Sequence, residues 1–360
     1  MRALETLAAV NRAREAATPL LAEDVSVRQF LAPLQPLLDQ GDVYEVCINA
    51  PGEAFVETAA GWARVPVPEM TYPRCMALAQ AIATLLNQRI GEQSPLLSGD
   101  LRTEERVQIV IPPAVRGGVS LTIRKPSGKL FSLQDLGAQG LFAQVRETTG
   151  DLLPVQRELL RLKSEQRFED FLRLAVTSRQ TIVAAGETGT GKTTFMKALA
   201  AEIAPEERVI TIEDAHELRM PGRENKVHLL YAKGGQGAAR VSAQDLLASC
   251  MRMRPDRVFL AELRGAETFE FLNLGLSGHA GSLTSVHASS CAAALKRMAM
   301  LAMQSPEGRS LPYAEVESLL LAVIDVIVHI TRPADRRGRI VDEIYYDPVA
   351  GLAGARALGA

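Results

Sequence analysis

Gly186-Glu187-Thr188-Gly189-Thr190-Gly191-Lys192-Thr193-Thr194 reads GETGTGKTT, the G-x-x-x-x-G-K-[ST] spacing of a phosphate-binding loop. The run before it, 181–185, is short, apolar and bounded, as a buried parallel strand should be. The run after it, FMKALAAEI, carries apolar residues at helical spacing. Strand, loop and helix therefore follow in the order that gives the motif its physical meaning. Glycines let backbone N–H groups converge on phosphate oxygens, and the helix N-terminus adds the positive end of its dipole. Lys192 is expected at the β- and γ-phosphates of a nucleotide, and the Thr193 hydroxyl on Mg²⁺.

Turnover also needs a carboxylate that positions Mg²⁺ or polarises water. Two acids follow apolar strand patterns. Glu213 closes 208–212 and Glu262 closes 257–261. Both would lie at C-terminal strand ends, where open α/β sheets bind ligands. A third signal is 277–288, SGHAGSLTSVHA, which holds His279 and His287, two of the five histidines of the chain. An imidazole there can hydrogen-bond a γ-phosphate and report its loss, or it can cap backbone groups in a polar loop.

From about 151 onward, strands near 181–185, 208–212, 257–261 and 281–286 alternate with helical patterns, a parallel α/β layout. The preceding part reads differently. An Ala/Arg/Glu-rich arm (1–25) leads into an α+β domain (26–125), then a glycine-bearing linker (126–150), the α/β domain (151–348) and a short tail (349–360). Within the first domain, strands are expected at 43–49, 54–58, 106–111 and 119–124, and a helix over 72–90 that stops at Gly91.

The 360 residues are 47% hydrophobic with a formal net charge of −2, so nothing global suggests nucleic-acid binding. Cys47, Cys75, Cys250 and Cys291 are scattered without a C-x-x-C pair, which disfavours a zinc module or a disulfide framework and fits a reducing cytoplasm. Charges interrupt every apolar run at the N-terminus, so no signal peptide is expected. The best membrane candidate, 319–330, is short and contains Asp325.

Taken in order, GETGTGKTT, TIEDAHEL, RMRPDRVFLAELRG and SGHAGSLTSVHA resemble the Walker A, Asp, Walker B and His boxes of the bacterial secretion (traffic) ATPases. Within that superfamily the chain is most similar to the hexameric ATPase of type IV secretion and conjugation systems, over roughly 30–348, and ERVQIVIPPAVRGGVSLTIRKPS fits the same branch. The resemblance implies a RecA-like P-loop NTPase domain behind a smaller α+β domain, with ATP and Mg²⁺ as ligands. It gives Glu262 the main role in water activation and Glu213 a supporting role at Mg²⁺ or water. It makes Arg264 an ordering residue, His279 the γ-phosphate sensor and His287 its support. It places the nucleotide between the two domains, with Arg106 and Arg124 reaching the phosphates. It implies a homohexameric ring at the cytoplasmic face of the inner membrane, docked peripherally on secretion components and moving protein or DNA. Ala280 stands where the His box often has proline, which loosens the loop.

Type IV pilus or type II secretion ATPases are the near alternatives, and the latter usually carry a paired-cysteine module. A nucleic-acid-translocating ring and a nucleotide-gated scaffold are the other classes. The basic run Arg332, Arg336, Arg337, Arg339 reads as a solvated turn between two late strands. Met298, Met300 and Met303 read as core packing.

Overall fold

The computed structural model describes residues 22–126, 130–145, 151–235, 237–333 and 337–357. Most of the expected arm, parts of the linker, Arg336 and the last residues of the tail lie outside them. Two sheets organise the chain. The first is antiparallel, in the order β3-β2-β1-β6-β5-β4, from β1 (Glu45–Ile48), β2 (Glu53–Thr58), β3 (Gly61–Pro66), β4 (Leu96–Asp100), β5 (Arg106–Val110) and β6 (Ser120–Arg124). Its core gathers Val46, Ile48, Ile109, Leu121 and Ile123 under the helices Ala22–Leu31 and Tyr72–Leu85. Thr71 caps the second helix by accepting from the Arg74 N–H. That helix ends before Gly91, because Asn87 adopts a left-handed φ of 53° and breaks it there.

The second sheet has the order β13-β12-β7-β11-β10-β8-β9. Its strands are β7 (Ile182–Ala185), β8 (Val209–Glu213), β9 (Lys226–Leu230), β10 (Arg257–Leu260), β11 (Leu283–Val286), β12 (Val326–Thr331) and β13 (Ile340–Tyr346). All pairs are parallel except β12 with β13. The inner strands are buried on both faces; β7 reads as an unbroken apolar run, β8 and β10 are mostly apolar, and β11 buries Thr284 and Ser285. Alternate residues serve opposite cores. Val183 and Ala185 join the core under helices Ala243–Cys250 and Glu267–Leu276, whereas Ile182 and Ala184 join that of Phe168–Thr177 and Lys192–Ala201. Met298 is fully buried in the first of these cores and Met303 packs against it, but Met300 faces out at 59% exposure.

The apolar run at 319–330 divides into the end of helix Tyr313–Val323 and strand β12, and Asp325 between them accepts the Thr181 N–H at 2.7 Å. Among the described residues no helix is long and apolar enough to cross a membrane. Between the sheets, 130–145 contains one short helix, Leu133–Ala138, closed by a Ser132–Asp135 capping box and burying none of its own residues.

The two domains meet through Val110, Ala114 and Val115, which pack into the second sheet's core, and through polar groups. Arg208 is fully buried and donates to Met253 O (3.0 Å) and to the Oδ1 atoms of Asn49 and Asn225 (2.7 Å each). Trp62 lies 5.7 Å from its guanidinium and donates to Asp256 at 3.2 Å. Arg254 pairs with Glu57, and the Arg116 N–H donates to His228 O at 3.0 Å on the edge strand β9. Among the described residues, no hydrogen bond from the first sheet's domain touches 186–194.

Candidate active site

β7 ends at Ala185 and the chain turns through Gly186, Gly189 (φ 76°) and Gly191 (φ 94°) into the helix Lys192–Ala201. Gly191 starts that helix in the left-handed region, where a Cβ would also sit 2.8 Å from Arg339 Nη1. A Cβ on Gly186 would run into the Ile330 carbonyl. The loop is therefore a backbone cradle with no room for a side chain at Gly186 or Gly191. Buried Thr190 donates to Glu187 O at 3.0 Å and braces it. Glu187, Thr188 and Thr194 are exposed, and Thr193 is half-buried at the start of the helix. These features fit an anionic phosphate group with a magnesium ion beside it.

Lys192 Nζ donates to the carbonyls of Gly186 (2.8 Å) and Glu187 (2.9 Å) and lies 3.5 Å from His287 Nδ1. Burial lowers its pKa, and the negative charge of Glu262 counteracts that. His287 Nε2 is 3.2 Å from Glu262 Oε1. With an ammonium facing Nδ1, that nitrogen accepts and Nε2–H donates to the carboxylate. Arg264 Nη2 donates to the other Glu262 oxygen at 2.9 Å, and Nη1 to Asp214. Lysine, histidine, glutamate, arginine and aspartate thus form one continuous chain along the C-terminal edge of the sheet.

Glu213 sits at the same edge but is turned inward. It is fully buried. Its Oε2 accepts the N–H groups of Glu217 (2.8 Å) and Leu218 (2.7 Å), and its Oε1 accepts the Thr211 hydroxyl at 2.8 Å. Burial raises its pKa, but hydrogen bonds from His228, these N–H groups and Thr211 outweigh that and keep it below the ordinary value. In this conformation it braces its own loop, with β10 and β11 between its strand and β7.

The His box divides in two. His287 follows β11 and joins the lysine. His279 precedes β11 and lies at the opposite edge, about 13 Å of strand away at ~3.3 Å per residue. Within one chain it is thus His287, expected in support, that stands beside Lys192, while His279, expected at the γ-phosphate, stands at the other end of the strand. His279 lines a groove of about 710 Å³ with Arg106, Arg124, Arg252, Arg254, Glu45 and Asp100. Burial and then Arg254 hold it below the ordinary histidine pKa, and its Nδ1 is buried without a partner. Arg106 and Arg124, expected at the phosphates, are in this groove too. They are 77% and 66% exposed and only loosely paired, each 3.8 Å from Asp100 or Glu45. The physical reason is topological: their domain docks on the β8–β9 side and the N-terminal edge, away from the P-loop.

The described residues of the basic run lie exposed between two late strands, as expected, and two of them also reach the loop. Arg332 Nη2 donates to Gly189 O at 2.8 Å, and Arg339 packs against Gly191. The hairpin of β12 and β13 returns beside β7 and lays both guanidinium groups on the phosphate cradle. The local signal, four arginines in a turn, was visible; its destination was not.

The family described as type II/IV secretion system protein matches residues 144–349. A type IV secretion system protein VirB11 from Brucella abortus is 47% identical over 328 residues, covering 90% of both chains. The type IV secretion system protein PtlH of Bordetella pertussis is 42% identical over 326 residues, 89% of this chain and 96% of that one. Among solved structures, the VirB11 ATPase of the Brucella suis type IV secretion system, crystallised with sulphate, matches with a TM-score of 0.88 at 45% identity, over 93% of this chain and 98% of that one.

Proposed function

Because the chain belongs to the type II/IV secretion system protein family, we propose that it is an ATPase whose turnover powers a type IV secretion system. The observation that carries the reading is the continuous Lys192–His287–Glu262–Arg264 chain beside the glycine cradle. ATP is the substrate. Lys192, Arg332 and Arg339 supply positive charge around its phosphates, and the loop N–H groups orient them. Thr193 and Glu262 would hold Mg²⁺, which neutralises charge on the phosphate oxygens. Glu262 also orients the attacking water, and His287 couples that carboxylate to Lys192. Glu213 supports the site by fixing the loop that carries Asp214, the partner of Arg264; it reaches water or Mg²⁺ only after releasing Glu217 and Leu218.

The proposed assembly is a homohexameric ring, docked peripherally on membrane-embedded secretion components. One chain supports it by what it separates. Among the described residues, its P-loop edge receives no arginine from the first domain, and its Arg106–Arg124–His279 groove lies away from its own P-loop. A head-to-tail contact would bring the groove of one subunit to the P-loop of the next, and such heterologous contacts close into rings. Arginines arriving there offset the charge that develops in phosphoryl transfer.

Steady-state ATP hydrolysis per subunit, measured across protein concentration with Lys192→Ala as the blank, tests this. Specific activity should rise and saturate as rings form. No rate above the blank, with or without membranes, would refute the motor.

A further inference from the structure

We propose that Glu213, His216 and His228 form a binding site for a first-row transition metal, with Zn²⁺ as the occupant, on the seam between the two domains. The inference goes beyond the ATPase reading and stands whether or not the chain hydrolyses ATP.

The sheet itself assembles these ligands. Parallel pairing sets Thr211 opposite His228 and Glu213 opposite Leu230. Glu213 and Thr211 are two residues apart and so project to the same face of β8. The loop after β8 then brings back His216, held by the bonds from the Glu217 and Leu218 N–H groups to Glu213 Oε2. One carboxylate oxygen is thereby fixed, and the other is aimed at two imidazoles. Glu213 Oε1 is 3.7 Å from His216 Nδ1 and 3.7 Å from His228 Nδ1, and the donor atoms of the three residues lie within 4.8 Å of one another. The two rings stand edge to face with centroids 4.5 Å apart.

His216 Nδ1 is buried with no hydrogen-bond partner. A buried polar atom left unpaired is unfavourable and calls for an explanation; a metal ion would satisfy it. Thr211 Oγ1 donates to Glu213 Oε1 at 2.8 Å and so orients the carboxylate; its 2.8 Å contact with His228 Nδ1 is the one that ligation through that nitrogen would replace. Tetrahedral ligation at ~2.0–2.1 Å needs donor atoms roughly 3.3 Å apart, so only a small inward shift is required.

The donors select the metal. Magnesium prefers an oxygen shell, whereas two imidazoles and a carboxylate suit zinc and its neighbours. Three protein ligands leave a fourth position open. His216 and His228 line a groove of about 620 Å³ between the domains, shared with Asn49 and Glu53, through which an ion can enter. Arg116 and Arg219, also on that groove, oppose a cation, so the expected affinity is micromolar rather than that of a structural zinc. A bound ion would tie the loop after β8 to β9, the strand that receives the first domain through Arg116 N–H. It would also pin Glu213.

The test is a zinc titration of the chelator-treated full-length chain against a chromophoric competitor, repeated with Co²⁺ and read by visible absorption. The expected result is one equivalent per chain at micromolar affinity, with intense cobalt bands of low coordination number. His216→Gln and His228→Gln should each weaken binding at least ~100-fold, beyond the loss of an outer-sphere partner, and abolish the bands. Far-UV circular dichroism and thermal melting establish that the variants fold. Should His228→Gln not fold, His216→Gln decides, because its Nδ1 has no hydrogen bond to lose. Unchanged affinity in either folded variant overturns the site, as does no wild-type binding at high-micromolar zinc.

Discussion

At the C-terminal edge of the parallel sheet, the Lys192 ammonium faces a histidine that leans on a carboxylate, and that carboxylate is held by an arginine with its own acid. At the N-terminal edge, four arginines and His279 share a groove with only two acids, and Arg106 and Arg124 reach theirs at no less than 3.8 Å. One edge is an ordered network in which each charge has a partner. The other ties Arg254 to Glu57 but leaves Arg106 and Arg124 loosely held, although it belongs to the same domain interface that buries Arg208. The contrast says where rigidity is needed. On the proposed reading, the groups that would position water and metal are fixed within a chain, while those that would answer the transferring phosphate are left free to meet it from a neighbour.

Four substitutions would sharpen or break that contrast. The largest effect belongs to Lys192→Ala, which should bring steady-state turnover to the rate without enzyme while leaving the thermal midpoint nearly unchanged. Next, Arg124→Ala should lower kcat by roughly 10³-fold, the low end of what an arginine finger supplies, with native folding by circular dichroism. If it merely destabilised the chain, the groove would be structural. His287→Ala should lower kcat on the order of 10²-fold, comparable to removing one preorganised donor. His279→Ala measured beside it should be silent below the concentration at which rings form and costly above it.

The smallest effect is in pH. Burial raises the Glu45 carboxyl from its ordinary 4.5 to about 7, against the attraction of Arg124. The folded state therefore prefers its protonated form. The stability this gives is full below pH 4.5 and is lost as pH rises to about 7, about 3 kcal/mol in all. Glu45→Gln should flatten that part of the stability profile in denaturant titrations, and an unchanged slope would remove Glu45 from the account.

Much of the C-terminal edge was legible in the chain, because its chemistry is local. The glycines, Lys192 and Thr193 are contiguous, and Glu262 directly follows an apolar run. The N-terminal edge was not. SGHAGSLTSVHA looks like one loop, yet the four residues of β11 inside it carry His279 and His287 to opposite ends. A strand near 281–286 was legible even though Thr284 and Ser285 are polar and buried; the distance it sets between the two histidines was not. β3, with a mostly exposed pattern around Trp62, and β4, which ends in Ser98-Gly99-Asp100, lacked the apolar alternation that marks strands. Arg332 and Arg339 reach the cradle only because β12 pairs with β7, a contact between residues far apart in sequence.

The shared site is tested most directly by mixing two inactive variants, Lys192→Ala and Arg124→Ala, after dissociation and reassembly. If each site takes its P-loop from one chain and its arginine from the next, roughly a quarter of the interfaces in an equimolar mixed ring are intact. ATPase activity should then return to about that fraction of wild type. A mixture no more active than its two components would mean that both halves must lie in the same chain, and would contradict the account.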